Sequence, residues 1–353
     1  MNKQTIEKIL MAAIQAPSGD NVQPWRFEIS KDFSNLELFN LPERDDSYYN
    51  YQQAAAYISH GAVLENIAIA AGQLGCDAKI HLFPDNVDQN HVAHIDFQPA
   101  KSELDPLYEA IFNRVTNRFH YKSIQLSDNN RQKLIDAATQ IEGVNCHVAH
   151  EPITIKELAK VLMINDQLVF EHRDIHRFLF DKIRWNQKQI DETKDGLPVD
   201  TLGLSSFEKL FFPMMRFWWF VDLANYFGLS RLIGIKCWNN FRNAALIGQI
   251  TVKKTDARGF VQAGRAMQRV WLEATRQGLA FQPIIGLPLL VYRTKANALT
   301  EFSEGQRQML IKAEDALRDL YGITTNSEYP VVGFRIGKGV PVAAKTLRKA
   351  VPL

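Results

Sequence analysis

The segment NRVTNR, residues 113–118, sets Arg114 and Arg118 four apart with Thr116 between them. At a helix entry, two cations and a hydroxyl at that spacing converge on one anion. Arginine suits phosphate because its planar fork grips two oxygens at once; an isolated RxxxR is otherwise a solvated basic turn. A second cationic run lies at residues 329–353, where Arg335, Lys338, Lys345, Arg348 and Lys349 occur without one Asp or Glu. Such an excess is either a solubilising tail or a match for an anionic ligand. Two further segments are uncharged or nearly so. APSGDNVQPW (16–25) offers Ser18, the Gly19 backbone and Asn21 as compact groups that approach a flat heterocycle closely, and FQPIIG (281–286) adds an apolar wall and a close backbone approach at Gly286. Together the four segments collect what a buried, phosphorylated aromatic ligand needs.

Elements must hold these segments in place. Residues 3–15 space Ile6, Ile9, Leu10, Ala13 and Ile14 as one helical face, and APSGDN breaks that helix. RFEIS and NLELFNL around DFSN read as a hairpin, and residues 52–75 as a long, nearly uncharged and therefore buried helix. Ala78 to Phe83 and Val92 to Phe97 read as strands, and KSELDP (101–106) as a boundary. Residues 152–243 are helical and carry the aromatic block FFPMMRFWWF (211–220), which is either core or a lid over a ligand. At an offset of 203 residues, GAVLENIAIAAGQLG (61–75) lies on GRAMQRVWLEATRQG (264–278), with Gly61 on Gly264 and Gly75 on Gly278.

Composition narrows the function classes. A chain of 353 residues holds a sizeable core, and 41 Lys plus Arg against 39 Asp plus Glu leave a net charge of +2. That balance argues against nucleic acid or an anionic membrane as partner. No apolar run reaches the roughly 20 residues of a membrane span, and the first residues carry no signal-type core. Three separated cysteines, Cys76, Cys146 and Cys237, without a CxxC pair fit a reducing compartment. The expectation is a cytoplasmic protein.

APSGDNVQPWRF resembles the PSxxNxQPW segment of the nitroreductase family of FMN proteins. NRVTNRF is similar to that family's RxSxR phosphate-side motif, FQPIIG to its PxxG segment, and GFRIGKGVPVAAKTLRK to its terminal strand and basic clamp. Family members pair two short chains around flavins at their interface. Here one chain carries one set: the first half has the PSxxNxQPW segment with no RxSxR before it, and the second has the arginines, FQPIIG and the tail, with GVNCHVAHEP after the arginines. The resemblance therefore implies an α+β fold of the tandem nitroreductase-like type. Two fused halves, 1–105 and 106–353, each have a mixed or antiparallel sheet flanked by helices, with a helical lid insertion at about 152–243 in the second.

It also implies roles. Arg114 would face the FMN phosphate, completed by Lys345 and Arg348, with Thr116 beside it and Arg118 at the N1 and O2 edge of the ring. Pro17, Ser18, Gly19 and Asn21 would reach the ring and ribityl chain from the other half. Pro283, Ile284, Ile285 and Gly286 would meet N5 and O4 through backbone amides. Val115 and Ile285 stand where the family often has a polar residue and an acid. The implied activity is two-electron transfer from NAD(P)H through FMN to a small planar acceptor such as a nitroaromatic or quinone, a hydride step needing no side-chain acid or base. The alternative is an FMN-sequestering protein with a closed lid. The expected assembly is a pseudo-dimeric monomer, able to pair again as a homodimer.

Two other motifs have plainer readings. EHRDIH sets His172 and His176 four apart, as a metal pair would be, but is neither HExxH nor supplied with a third ligand; a solvated, charge-laced helix and no metal are expected. GKG (337–339) lacks the strand-to-helix context of a dinucleotide fold.

Overall fold

The computed structural model describes residues 1–85, 87–101, 105–342 and 344–351. Residues 102–104 of the expected boundary, and 343, 352 and 353 of the basic tail, lie outside the described residues.

The chain opens with α1 (Lys3–Ala13), whose first turn is capped by the Asn2 side chain accepting from the Thr5 amide at 2.9 Å. A loop leads to the hairpin β1 (Trp25–Ile29) and β2 (Asn35–Asn40), then to α2 (Ala54–Gln73), β3 (Cys76–Leu82) and β4 (His91–Pro99). The four strands form an antiparallel sheet in the order β1-β2-β4-β3. α2 has apolar residues on every side and is buried along nearly its whole length, as a helix without a polar face must be.

The remainder runs through α3 (Tyr108–Asn113), β5 (Tyr121–Lys122), α4 (Asp128–Thr139) and β6 (Val144–Ala149) into a helical stretch. That stretch holds α5 (Pro152–Glu171), α6 (Arg173–Lys182), β7 (Ile183–Arg184), α7 (Gln187–Thr193), β8 (Leu197–Pro198), α8 (Ser206–Phe211), α9 (Trp218–Asn225) and α10 (Leu229–Phe241). β9 (Leu246–Val252), α11 (Ala257–Arg276), β10 (Ala280–Ile284), α12 (Gly286–Lys295), α13 (Glu304–Tyr321) and β11 (Tyr329–Gly339) complete the fold. The second sheet is also antiparallel, in the order β10-β11-β9-β6, with β5 against the end of β11. The architecture is α+β.

The two sheets follow one plan. Each places the strand after its long central helix at the edge, β3 or β10, next to the last strand of its set, β4 or β11. α2 and α11 keep the 203-residue offset at both ends, and α1 packs on α2 as α4 packs on α11. The helical stretch stands between β6 and β9, where the first sheet has only the turn between β1 and β2. GVNCHVAHEP contributes β6.

α2 and α11 pack against each other at the aligned glycines. A Cβ on Gly61 would overlap the Val261 carbonyl oxygen and come within 2.9 Å of Gly264 Cα, and a Cβ on Gly264 would overlap the Ile58 carbonyl. Beside the crossing, the buried Glu65 receives Arg265 at 2.9 Å and Arg269 at 2.6 Å, while Gln268 donates to Asn66 at 2.7 Å. Gly61→Ala and Gly264→Ala should each cost about 1–3 kcal/mol in urea unfolding, because rigid backbone must move. Gly72→Ala on the same α2 meets nothing within 4 Å and should instead gain roughly 0.5–1 kcal/mol from lost chain entropy.

Candidate functional site

The RVTNR segment is not at a helix entry. α3 ends at Asn113, Arg114 is extended (φ −61°, ψ 139°), and the chain then runs beside β10. Thr116 bridges to Phe281, and the Asn117 amide donates to the Phe281 carbonyl at 2.9 Å. The segment thus covers the free edge of the second sheet, so the cations act through side chains alone.

Arg114 donates to the Gln15 carbonyl and stacks over the Trp271 ring at 4.5 Å. Arg348 reaches the same place from the tail, donating to the Ile14 carbonyl at 2.8 Å and to Asn21 Oδ1 at 2.8 Å. Lys345 donates to the Phe112 carbonyl at 3.3 Å. Among the described residues, every side-chain hydrogen bond of these three cations ends on a carbonyl, an amide or a hydroxyl, never a carboxylate. Burial, and then the neighbouring charge of Arg348, hold Arg114 well below the ordinary guanidinium pKa; burial pushes Arg348 down to about 10. Two polar atoms here, Arg114 Nε and Trp271 Nε1, are buried without a hydrogen-bond partner.

Two adjoining cavities gather the candidate residues. A small one of about 80 Å³ is lined by Asn21, Arg114, Lys345 and Arg348, and a larger one of about 300 Å³ by Gly19, Pro283, Ile284, Ile285 and Gly286. Pro17, Ser18, Thr116 and Arg118 line both. The structure therefore brings all thirteen positions to one continuous surface, from the loop after α1, the segment after α3, the end of β10 and the tail. The PIIG stretch is the turn from β10 into α12, so the free amides at the start of that helix belong to the cavity wall. Gly286 leaves room there for the Asn165 and Tyr49 side chains: a Cβ would displace Asn165 Oδ1 and reach Tyr49.

The loop after α1 is held by its own polar groups and by the tail. Ser18 Oγ accepts from the Gln23 amide at 3.0 Å, Asn21 Nδ2 donates to the Leu347 carbonyl at 3.1 Å, and the Lys349 amide donates to Gln23 Oε1 at 2.8 Å. Asn21 thus ties the tail down. Arg118 donates to the Thr201 carbonyl at 3.2 Å, and its main chain packs against Gly203.

Several expectations are corrected. Arg335 is no anion ligand: it is fully buried within β11, donates to Gln282 at 2.7 Å, to Asn240 and to Phe119, and lies over Tyr121 at 4.0 Å. Lys349 is paired with Asp195 at 2.7 Å. His172 and His176 are not on a solvated helix; they are 8% and 1% exposed and stacked on Phe302 and Phe180. His172 sits at the break between α5 and α6, so the two do not share one helix. No cluster suited to a metal occurs among the described residues.

The sequence reading missed the acidic floor. Asp20, Asp166, Asn165, Tyr49 and Gln282 line the larger cavity with Trp271 beside them. Asp166 carried a legible signal, a carboxylate inside the apolar run of α5; Asp20 had only its place in the PSGDN loop. Asp20 is in the left-handed region (φ 42°), and burial, with Asp45 adding repulsion against the opposing pull of Arg118 and Lys182, raises its pKa to about 6. Burial likewise raises Asp166 and Tyr49.

A carboxyl raised in the folded state stabilises below the unfolded pKa and loses that contribution as pH climbs through about 6. Asp20→Asn should therefore leave stability unchanged near pH 4 and raise it by up to about 3 kcal/mol at pH 8, read as unfolding free energy across that range.

No family model matches the chain. It is 24% identical over 354 residues to an uncharacterized protein of Mycobacterium tuberculosis, covering 99% of this chain and 48% of that one. It is 34% identical over 120 residues, 33% of this chain and 34% of the other, to an M. tuberculosis protein described as "Putative NAD(P)H nitroreductase". A further M. tuberculosis protein so described, acg, is 35% identical over 95 residues, 27% of this chain and 28% of that one. The chain thus spans about half the length of the first relative and about a third of the others. Among solved structures, the FMN-dependent nitroreductase NfnB of Mycobacterium smegmatis in complex with NADPH superposes at a TM-score of 0.37 with 12% identity, over 68% of this chain and 94% of that one.

Proposed function

We propose that the chain is a nitroreductase-family protein that binds one FMN in the two adjoining cavities and acts as an FMN-dependent NAD(P)H oxidoreductase. The observation that carries the reading is the pairing of the buried Arg114 with the half-buried Arg348, neither of which has a carboxylate partner among the described residues, with Arg114 Nε buried and unpartnered. An anion is what such a site lacks, and a phosphate with three acceptor oxygens fits the donors present.

In this reading Arg114, Lys345 and Arg348 hold the phosphate, with Thr116 adding a hydroxyl. Arg118 brings positive charge to the ring, and Pro17, Ser18, Gly19 and Asn21 close over it from the loop after α1. The turn from β10 into α12, Pro283 to Gly286, lines the ring edge, with main-chain amides from Ile285 and Gly286 and Gly286 open for want of a side chain. When bound, FMN supplies the two-electron chemistry that links NAD(P)H to a small planar acceptor such as a nitroaromatic or quinone. The protein's part is to place charge and amides where negative charge develops, and to exclude water with Trp271, Met267 and Leu289.

We read the repeated sheet plan as two tandem halves, 1–105 and 106–353, enclosing one site, with the helical stretch as an insertion in the second. The three unpaired cysteines suit a reducing cytoplasm, and no helix among the described residues is long and apolar enough to cross a membrane.

The purified protein should be yellow, and anaerobic NADPH should bleach its flavin absorbance. A flavin that stays oxidised would favour the sequestering role instead. Arg114→Gln and Arg348→Gln should each weaken FMN binding by about 1.5–3 kcal/mol, or roughly 10- to 150-fold in Kd, measured by flavin fluorescence on dilution. Unchanged retention in both variants would remove the arginines from the site.

A further inference from the structure

A third cavity, of about 520 Å³, shares a wall with the larger flavin-site cavity: a polar floor of Asp20, Arg118, Asp166 and Gln282, flanked by Val169, Leu179 and Phe241. From that polar floor it runs outward between α5, α6, α8 and α10, past Phe170, Ile183, Leu202, Leu204, Met215 and Ile233. Its mouth is rimmed by Phe207 and Phe211, which are 73% and 47% exposed, and the same region turns Leu210, Met214, Phe217 and Trp219 to solvent. Of the charges beyond the floor, Lys236 and Glu208 pair with each other. The gradient is therefore from polar at the inner end to apolar throughout and apolar outside.

We propose that this cavity seats the apolar chain of an amphipathic electron acceptor whose flat polar head rests on the floor shared with the flavin site. Naming the occupant an acceptor rests on the function proposed above; the shape and chemistry of the seat do not. A dinucleotide donor fits it poorly, because its phosphates would lose water against Phe, Leu and Met, while Arg118 is confined to the floor and Lys236 is paired with Glu208. A chain gains instead by leaving water. Large exposed apolar residues at the mouth extend that advantage to the surface, where such a molecule must first be met. The FFPMMRFWWF block thus serves as the doorway, neither sealed core nor closed lid.

The test uses the full chain as purified and a series of naphthoquinones with no alkyl substituent, a butyl chain and an octyl chain. Binding is read by quenching of tryptophan fluorescence without reductant, and turnover by KM with NADPH. Affinity should rise roughly three- to fourfold per added methylene until the seat is filled. In Phe211→Asp and Ile233→Asp, each checked for folding by its melting curve, the octyl-to-unsubstituted affinity ratio should fall toward one. Equal affinity across the series, or a ratio unchanged in both variants, overturns the seat. Octyl binding without reduction of any quinone leaves the seat standing and sinks the reductase reading, whereas reduction without chain dependence does the reverse. Vesicles of mixed phosphatidylglycerol and phosphatidylcholine separate the sources. Co-sedimentation with faster turnover of the vesicle-dissolved octyl compound marks a bilayer source, and equal turnover from detergent-free solution without sedimentation marks an acceptor taken up free; both support the seat.

Discussion

Gly61 on α2 and Gly264 on α11 let two helix backbones touch, and the site depends on that approach. No side chain can stand between them without overlapping a carbonyl of the other helix. Once the backbones are in contact, Glu65 meets Arg265 and Arg269 inside the protein, and Asn66 meets Gln268. A buried ion pair of this kind contributes little net stability, since desolvation offsets the Coulomb gain, but it penalises any other register of the two helices. The register it enforces brings the loop after α1 against the segment after α3, and Arg114 onto the Trp271 ring of α11. The cation site is thus a consequence of how the halves cross.

The two halves share a plan and differ at the connections, and the differences decide where chemistry sits. Between α1 and β1 the chain spends residues 14–24 on a loop with Asp20, Asn21 and Gln23 in left-handed conformations. The corresponding connection between α4 and β6 is residues 140–143, too short to fold over a ring. Conversely, the turn between β1 and β2 is brief, while β6 and β9 are separated by the helical stretch that walls the apolar cavity. The loop comes from the chain after α1, and the cations, the helix start and the apolar corridor from the chain after α3.

Much of this was legible before any coordinates. The helix at 52–75 announced its burial by having no polar face, and the strands around it by alternation. The aligned glycines were visible as a pattern, though only the packing of α2 on α11 gave the pattern a cause. Residue types marked the four segments, glycine for approach and arginine for anions, but only the family resemblance implied that they converge. What sequence could not supply was which cations are already satisfied. Arg335 and Arg348 lie on the same basic stretch, yet one is enclosed by Gln282, Phe119 and Tyr121 and the other stands against Arg114. His172 and His176 misled for a related reason. Their neighbours in sequence are charged, but their neighbours in space are Phe302, Phe180 and Trp218.

The unmatched arginines also bear on stability. Holding the Arg114 guanidinium out of water, and the Arg348 guanidinium partly so, with only neutral oxygens around them costs free energy, and the charge of Arg348 beside Arg114 adds to that cost. Any anion that binds between them removes both penalties, and a ligand bound only by the folded state stabilises it in proportion to the logarithm of its concentration over Kd. The groups such an anion would join belong to Arg114, Arg348 and the loop at Gln15, positions brought together only by the complete fold. Ligand binding and folding are therefore linked.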